Sequence, residues 1–246
     1  MEIIENTEKR IGAYLSIGES LANAIRRSVN EIDNIAISDV EIYKNDSALY
    51  DEVVAHRLGL IPITSNRKLE EVKNSKPTMK SEIKLSLKIK GPGIVYAKDL
   101  KGEGKAIYPD MPIVILNKDQ EVELIAFARL GKGEEHAKFS PGLCYYRKSS
   151  DIKIKSGKDN VKIVEGLKDS VIKGKLSGKI GESFTSYLDE DFVESLEGSE
   201  NLEITPGGDI VLFVESWGQI LPKEILQEAI KALDRNLKEV SKALKG

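Results

Sequence analysis

The chain has 246 residues, 40% of them hydrophobic, which is enough to bury a substantial core as one large domain or two small ones. Lysine and arginine number 37 against 40 acidic residues, and the net charge of −3 supplies no overall attraction to nucleic acid, disfavouring a free-standing DNA binder. One cysteine, Cys144, and two histidines, His56 and His136, exclude a disulfide framework and any cysteine-rich cluster.

The first residues, MEIIENTEKR, lack the basic start and apolar core of a signal peptide, and no apolar run approaches the ~20 residues of a membrane span. A soluble, cytoplasmic protein is expected. Residues 1–15 alternate weakly and predict a strand, with Gly12 as a local break. Ser16 and Glu19 have the S-x-x-E spacing of a capping box, which starts a helix near Ile17. Its apolar positions, Ile17, Leu21, Ala24, Ile25, Ser28, Val29 and Ile32, form one stripe, and Arg26 and Arg27 lie off it. Asp33 and Asn34 close the helix in turn chemistry. In the strand over 35–43, Ile35 and Ile37 share one face and Val40 and Ile42 the other, a change of phase that predicts a bulge near Asp39. A short amphipathic helix follows over 51–58, halted by Gly59 and Pro62.

Residues 64–80 are charged and without period, a loop with one helical turn around Leu69 and Val72. Ile83, Leu85, Leu87 and Ile89 then alternate with Lys84, Ser86, Lys88 and Lys90, the pattern of a half-buried strand ending in Gly91-Pro92-Gly93. Further short strands are predicted at 94–97, 113–116, 122–130 and 143–147, a mainly antiparallel unit. Gly131-Lys132-Gly133 reads as a hairpin turn whose glycines are free to take positive φ. From Asp151 the composition shifts to Lys, Gly and Ser, with β-like pieces DIKIK, NVKIV and KLSGKI and a helix around 190–196.

Ile210 to Val214 is apolar on both faces and reads as a central strand, ended by Gly218. Pro222 opens the last helix, which runs to Lys245. Leu226, Ile230, Leu233, Leu237, Val240 and Leu244 recur at alternating spacings of four and three, the seam of helices that pack at a shallow angle. At 1.5 Å per residue this helix reaches roughly 36 Å and the first only about 24 Å. Each buried Leu, Ile or Val is worth about 1.5–3 kcal/mol, so the last members of the seam call for a cover from outside, a second chain being the natural candidate. Packing of the whole seam on the chain's own sheet, or fraying past Val240, is the alternative.

Catalytic and cofactor motifs are weak. His56, His136 and Cys144 are scattered rather than at zinc-ligand spacing. The glycines at 131 and 133 belong to neither a P-loop nor a dinucleotide fingerprint, and there is no nucleophile elbow. Asp189-Glu190-Asp191 reads as a solvated helix N-terminus.

Two long blocks carry a specific resemblance: NAIRRSVNEIDNIAISDVEIYKNDSALYDEVVAHRLGLIPI, from Asn23, and GKGEEHAKFSP, from Gly131. Both are similar to the α-like subunits of DNA-directed RNA polymerase in their archaeal form, relatives of the bacterial α amino-terminal domain. With a matching C-terminal helix, the resemblance covers the chain apart from a stretch before Gly208.

It implies an α+β fold. A dimerisation domain built from both termini (1–43 and 209–246) is interrupted by an inserted β-rich domain (44–155). A small subdomain (156–208) stands where many relatives carry a ferredoxin-like iron–sulfur insertion. Cluster ligation needs several thiolates, so with Cys144 alone the cluster is expected to be absent and the subdomain cluster-free. The implied role is assembly: pairing with the smaller subunit L, then joining the large polymerase subunits, small subunits of the same assembly being further partners. No residue is expected to touch nucleotide, catalytic magnesium or nucleic acid, and there are no catalytic residues to name. The implied partner interface comprises Asn23, Arg26, Arg27, His56 and Arg57 together with Leu226, Ile230, Leu233, Leu237, Val240 and Leu244. Arginine suits that task because its planar fork makes bidentate bonds. Two other readings stay open on the residues alone: a stand-alone β-rich enzyme or ligand-binding protein, and a dimeric regulator that binds DNA.

Overall fold

The computed structural model describes residues 1–65, 82–155, 170–174, 179–187 and 202–245. The helical turn expected at Leu69 and Val72, the piece NVKIV, residues 175–178 of KLSGKI, and the acidic helix start at 189–196 lie outside the described residues. In chain order the elements are β1 (Glu2–Asn6), β2 (Arg10–Leu15), α1 (Glu19–Ser28), β3 (Asp33–Asn45), α2 (Asp51–Gly59), β4 (Ile63–Ser65), β5 (Ile83–Lys90), β6 (Gly93–Tyr96) and β7 (Lys101–Gly102). They continue with β8 (Gly104–Ala106), β9 (Pro112–Leu116), β10 (Glu121–Lys132), β11 (Gly142–Ile154), β12 (Val171–Gly174), β13 (Ser183–Tyr187), β14 (Leu202–Ser216) and α3 (Pro222–Ala243). They form two compact units, one of residues 1–28, 143–215 and 233–246, the other of 29–142 and 216–232.

The first unit is built on a six-stranded sheet in the order β1-β2-β14-β11-β13-β12. β14 is central because every residue from Ile210 to Val214 is buried on one face or the other. On one face Phe213 is enclosed by Tyr145, stacked at 5.2 Å, Tyr187, edge-on at 5.1 Å, and the Arg10 guanidinium, 4.5 Å above the ring. Gly12 does not break the strand as expected. It sits within β2 opposite Phe213, and a Cβ there would meet the ring at 3.0 Å.

α1 also departs from expectation. It starts at Glu19, with the Gly18 carbonyl accepting from Leu21 and Ala22, so no capping box forms. The Glu19 carboxylate turns instead to Tyr146 and Lys148 of β11. The helix buries Ala22, Ile25 and Ser28 while Leu21 is exposed, and it gives way to a 3-10 turn at Val29–Glu31.

The second unit holds a four-stranded antiparallel sheet, β3-β10-β5-β7, and two ribbons, β4–β8 and β6–β9. β5 buries Ile83, Leu85 and Leu87 and exposes Lys84 and Ser86 between them. The bulge expected near Asp39 is present: Asp39 pairs with Phe127 and Ile37 with Ala128, leaving Ser38 extra. Its effect is to return Val40 and Ile42 to the core that already holds Ile35 and Ile37. A second irregularity leaves Tyr43 extra between Lys44 and Ile42. α2 covers this core with Val54 and Leu58.

Asp33 and Asn34 do not form a turn but begin β3, because the Asn34 side chain is bonded in the interior. Gly131 and Gly133 are not at positive φ. They are small because neighbours come close: a Cβ on Gly131 would meet the Phe139 ring at 2.7 Å, and one on Gly133 the Asn30 side chain at 2.7 Å. β4, β7 and β8 were not foreseen, since two or three residues carry no readable period.

Candidate assembly surfaces

In the first unit the last turn of α1 carries Arg26 and Arg27. The Arg26 guanidinium donates through Nε at 3.1 Å and Nη2 at 2.9 Å to the Asn23 carboxamide oxygen one turn earlier. Both are half-buried, and Arg27 is exposed. Glu19, at the other end of the helix, accepts from the Tyr146 hydroxyl at 3.2 Å and lies 2.8 Å from the Lys148 ammonium. The bond and charge of Lys148, followed by the bond from Tyr146, hold its carboxyl below the usual range. Beneath this face burial pushes the Cys144 thiol up to about 12, with Arg26 pulling weakly the other way.

In the second unit the two sequence blocks that carry the family resemblance come together. The Lys138 ammonium donates to the Ser38 carbonyl in the β3 bulge at 3.4 Å, and its stem passes the end of α2, 3.7 Å from where a Gly59 Cβ would stand. Glu134 donates its N–H to the Asn30 carbonyl at 3.2 Å. Phe139 is buried with the charged ends of Arg129 and Lys138 at 4.8 and 5.4 Å from its ring. His136 is exposed and caps the following 3-10 turn, its Nδ1 accepting from the Lys138 N–H at 3.1 Å. On α2, His56 and Arg57 are exposed, and Arg57 donates to the Pro112 carbonyl at 3.0 Å.

The turn that launches α3 is tied to the same region through residues that sequence reasoning missed. Gln219 Nε2 donates to the carbonyls of Ile35, at 2.7 Å, and Ile63, at 2.9 Å, while its oxygen accepts from Asn34 at 2.9 Å. The Ser216 hydroxyl donates to Ile220 and accepts from the Gly218 N–H, with Gly218 at a φ of 96° that favours glycine. Trp217 donates to the Pro141 carbonyl at 3.1 Å. The run S-W-G-Q before a helix-opening proline was the available signal, but nothing local in it says which carbonyls it captures. A cleft of about 210 Å³ beside this turn is lined by Asn34, Thr64 and Gln219, whose polar groups are already bonded within the chain.

α3 has 22 residues, about 33 Å at helical rise. Its buried face is Ile225, Leu226, Ala229 and Ala232, and Leu233 is half-buried. The seam read from the sequence therefore diverges from the helix's own core face after Leu226. Ile230, Leu237, Val240 and Leu244 are exposed by 48%, 60%, 57% and 83%, and every residue from Asp234 to Lys245 is exposed.

No helix among the described residues is long and apolar enough to cross a membrane, and among them no three His, Cys, Asp or Glu side chains gather to hold a metal. The one thiol of the sequence, Cys144, is buried, and that burial favours its protonated form. Residues 35–141 match the family described as the RNA polymerase Rpb3/RpoA insert domain. DNA-directed RNA polymerase subunit Rpo3 of Pyrococcus horikoshii is 34% identical over 96% of this chain and 93% of the relative. The Rpo3 subunits of Pyrococcus furiosus and Thermococcus kodakarensis are 34% and 37% identical, over 98% and 90% of this chain and 97% and 89% of theirs. The chain thus belongs to the family of the archaeal DNA-directed RNA polymerase subunit Rpo3, the α-like subunits that carry this insert domain.

Proposed function

We propose that this chain is a non-catalytic assembly subunit of a cytoplasmic RNA polymerase, which pairs with the smaller α-like subunit L and so forms the platform on which the large catalytic subunits join. The exposed seam of α3 carries this reading. Ile230, Leu237, Val240 and Leu244 stand in water on a helix already formed and supported at its other end, and covering them is worth several kcal/mol at about 1.5–3 kcal/mol for each fully buried side chain. In this reading residues 1–43 and 209–246 make the pairing domain, 44–155 the insertion and 156–208 a cluster-free subdomain. Asn23, Arg26, Arg27, His56 and Arg57 face the large subunits. None of these residues reaches nucleotide or nucleic acid, in keeping with the net charge of −3.

The test is light scattering on the purified protein with and without subunit L. Alone, the protein is expected to self-associate, and with L to give a monodisperse 1:1 complex. A stable lone monomer that ignores L overturns the reading.

A further inference from the structure

A guanidinium has two forks, the side-on pair Nε/Nη2 and the end-on pair Nη1/Nη2. In Arg26 the Asn23 oxygen takes the side-on pair, at 3.1 and 2.9 Å, and this anchors the planar group. The anchor is a neutral carboxamide, so it orients the arginine without cancelling its charge. The end-on fork has no carboxylate partner among the described residues, and neither has the exposed Arg27 beside it. Glu19, the one carboxylate in α1, is drawn away by Lys148 and Tyr146. The groups of β11 that sense Arg26 are Cys144, whose thiol keeps its proton, and the Tyr146 phenol, whose pKa is raised first by burial and then by Glu19. The structure thus holds a half-buried cation in a fixed orientation, next to a second one, and no carboxylate among the described residues pairs with either.

We infer that the end of α1 is a preformed carboxylate receptor. An aspartate or glutamate of the partner docks bidentate on Nη1 and Nη2 of Arg26, Arg27 adds the second positive charge, and Asn23 is the positioning residue. The inference rests on the reading that α1 faces a large subunit, and it names the chemistry that subunit must present. The neutral anchor is the decisive feature. An acidic residue at position 23 would satisfy Arg26 within its own helix and remove the reason for an outside carboxylate to desolvate there.

The test is binding of the L-paired protein to the isolated large subunit, measured across a salt series, with far-UV circular dichroism and L pairing as controls of folding. Arg26→Lys keeps the charge but loses the fork, and Asn23→Asp keeps the fork oriented but neutralises it. Each is expected to weaken binding roughly tenfold or more while pairing with L is unchanged. Arg26→Gln is expected to flatten the salt dependence as well. Wild-type affinity in both Arg26→Lys and Asn23→Asp, with large-subunit binding intact, overturns the receptor and leaves the assembly role standing. Failure of the wild-type pair to bind the large subunit overturns both.

Discussion

The carboxamides of Asn34 and Gln219, 185 residues apart in sequence, meet at 2.9 Å and fasten the start of α3 to the first residues of β3. Because the other end of Gln219 donates to two main-chain carbonyls, one side chain holds β3, β4 and the α3 turn in register.

Removing Gln219 is therefore expected to act as a structural lesion. Gln219→Ala leaves the Asn34 amide and the carbonyls of Ile35 and Ile63 without this partner, at about 1–3 kcal/mol for each group that stays buried and unpaired. Gln219→Glu replaces the shared donor with an acceptor facing two carbonyls and should be at least as damaging. Urea unfolding of the three proteins checks both, and an unchanged midpoint in Gln219→Ala refutes the fastening role.

The seam of α3 divides into two kinds of position. Leu226 is 7% exposed and Leu237 is 60% exposed. Leu226→Ala is expected to lose about 2–5 kcal/mol of stability, whereas Leu237→Ala should stay within roughly 0.5 kcal/mol of wild type. Leu237→Asp is expected to keep the thermal melt of the chain and abolish co-elution with subunit L. Melting curves and gel filtration separate the two effects.

Gly131 is a test of close packing in the loop that bears His136 and Lys138. A methyl there would stand 2.7 Å from the Phe139 ring, whose flanks are already occupied by Arg129 and Lys138. Gly131→Ala is expected to destabilise by about 1–3 kcal/mol through overpacking, with Gly18→Ala, where the Cβ meets nothing within 4 Å, as the neutral control. Differential scanning calorimetry provides the comparison.

The Tyr14 phenol and the Cys144 thiol hold their protons more tightly in the folded chain than in the unfolded one. The Tyr14 phenol, bonded to Asp209 and buried, is raised from 10.0 to about 12, and burial raises Cys144 from 9.0 to about 12. Both contribute stability that is complete below the unfolded values and lost as pH climbs through the folded ones. The urea midpoint is expected to fall from about pH 9 upward, less steeply in Cys144→Ala and less again once Tyr14→Phe is added. Cys144 should also resist thiol reagents at pH 8 until the chain unfolds, since its thiolate is suppressed.

Much of the architecture was legible because it is written in local periodicity. The alternation of β5, the apolar run of β14, the β3 bulge and the opening of α3 at Pro222 follow from residue spacing that the core then rewards. Where reading failed, a distant group had outbid a local one. Glu19 left its cap for Lys148 and Tyr146, Asn34 left its turn for Gln219, and Gly12, Gly131 and Gly133 proved to be clearances for Phe213, Phe139 and Asn30 rather than free hinges.

The sequence by itself determined that α3 carries an apolar seam at spacings of four and three and that two blocks resemble the α-like subunits, since helical phase and residue identity are local properties. Only the tertiary structure decided which seam residues remain in water, that both blocks meet at the β3 bulge, and that Asn23 holds Arg26 by one edge. Burial and hydrogen-bond choice depend on what other segments bring within reach, and no window of sequence contains that competition.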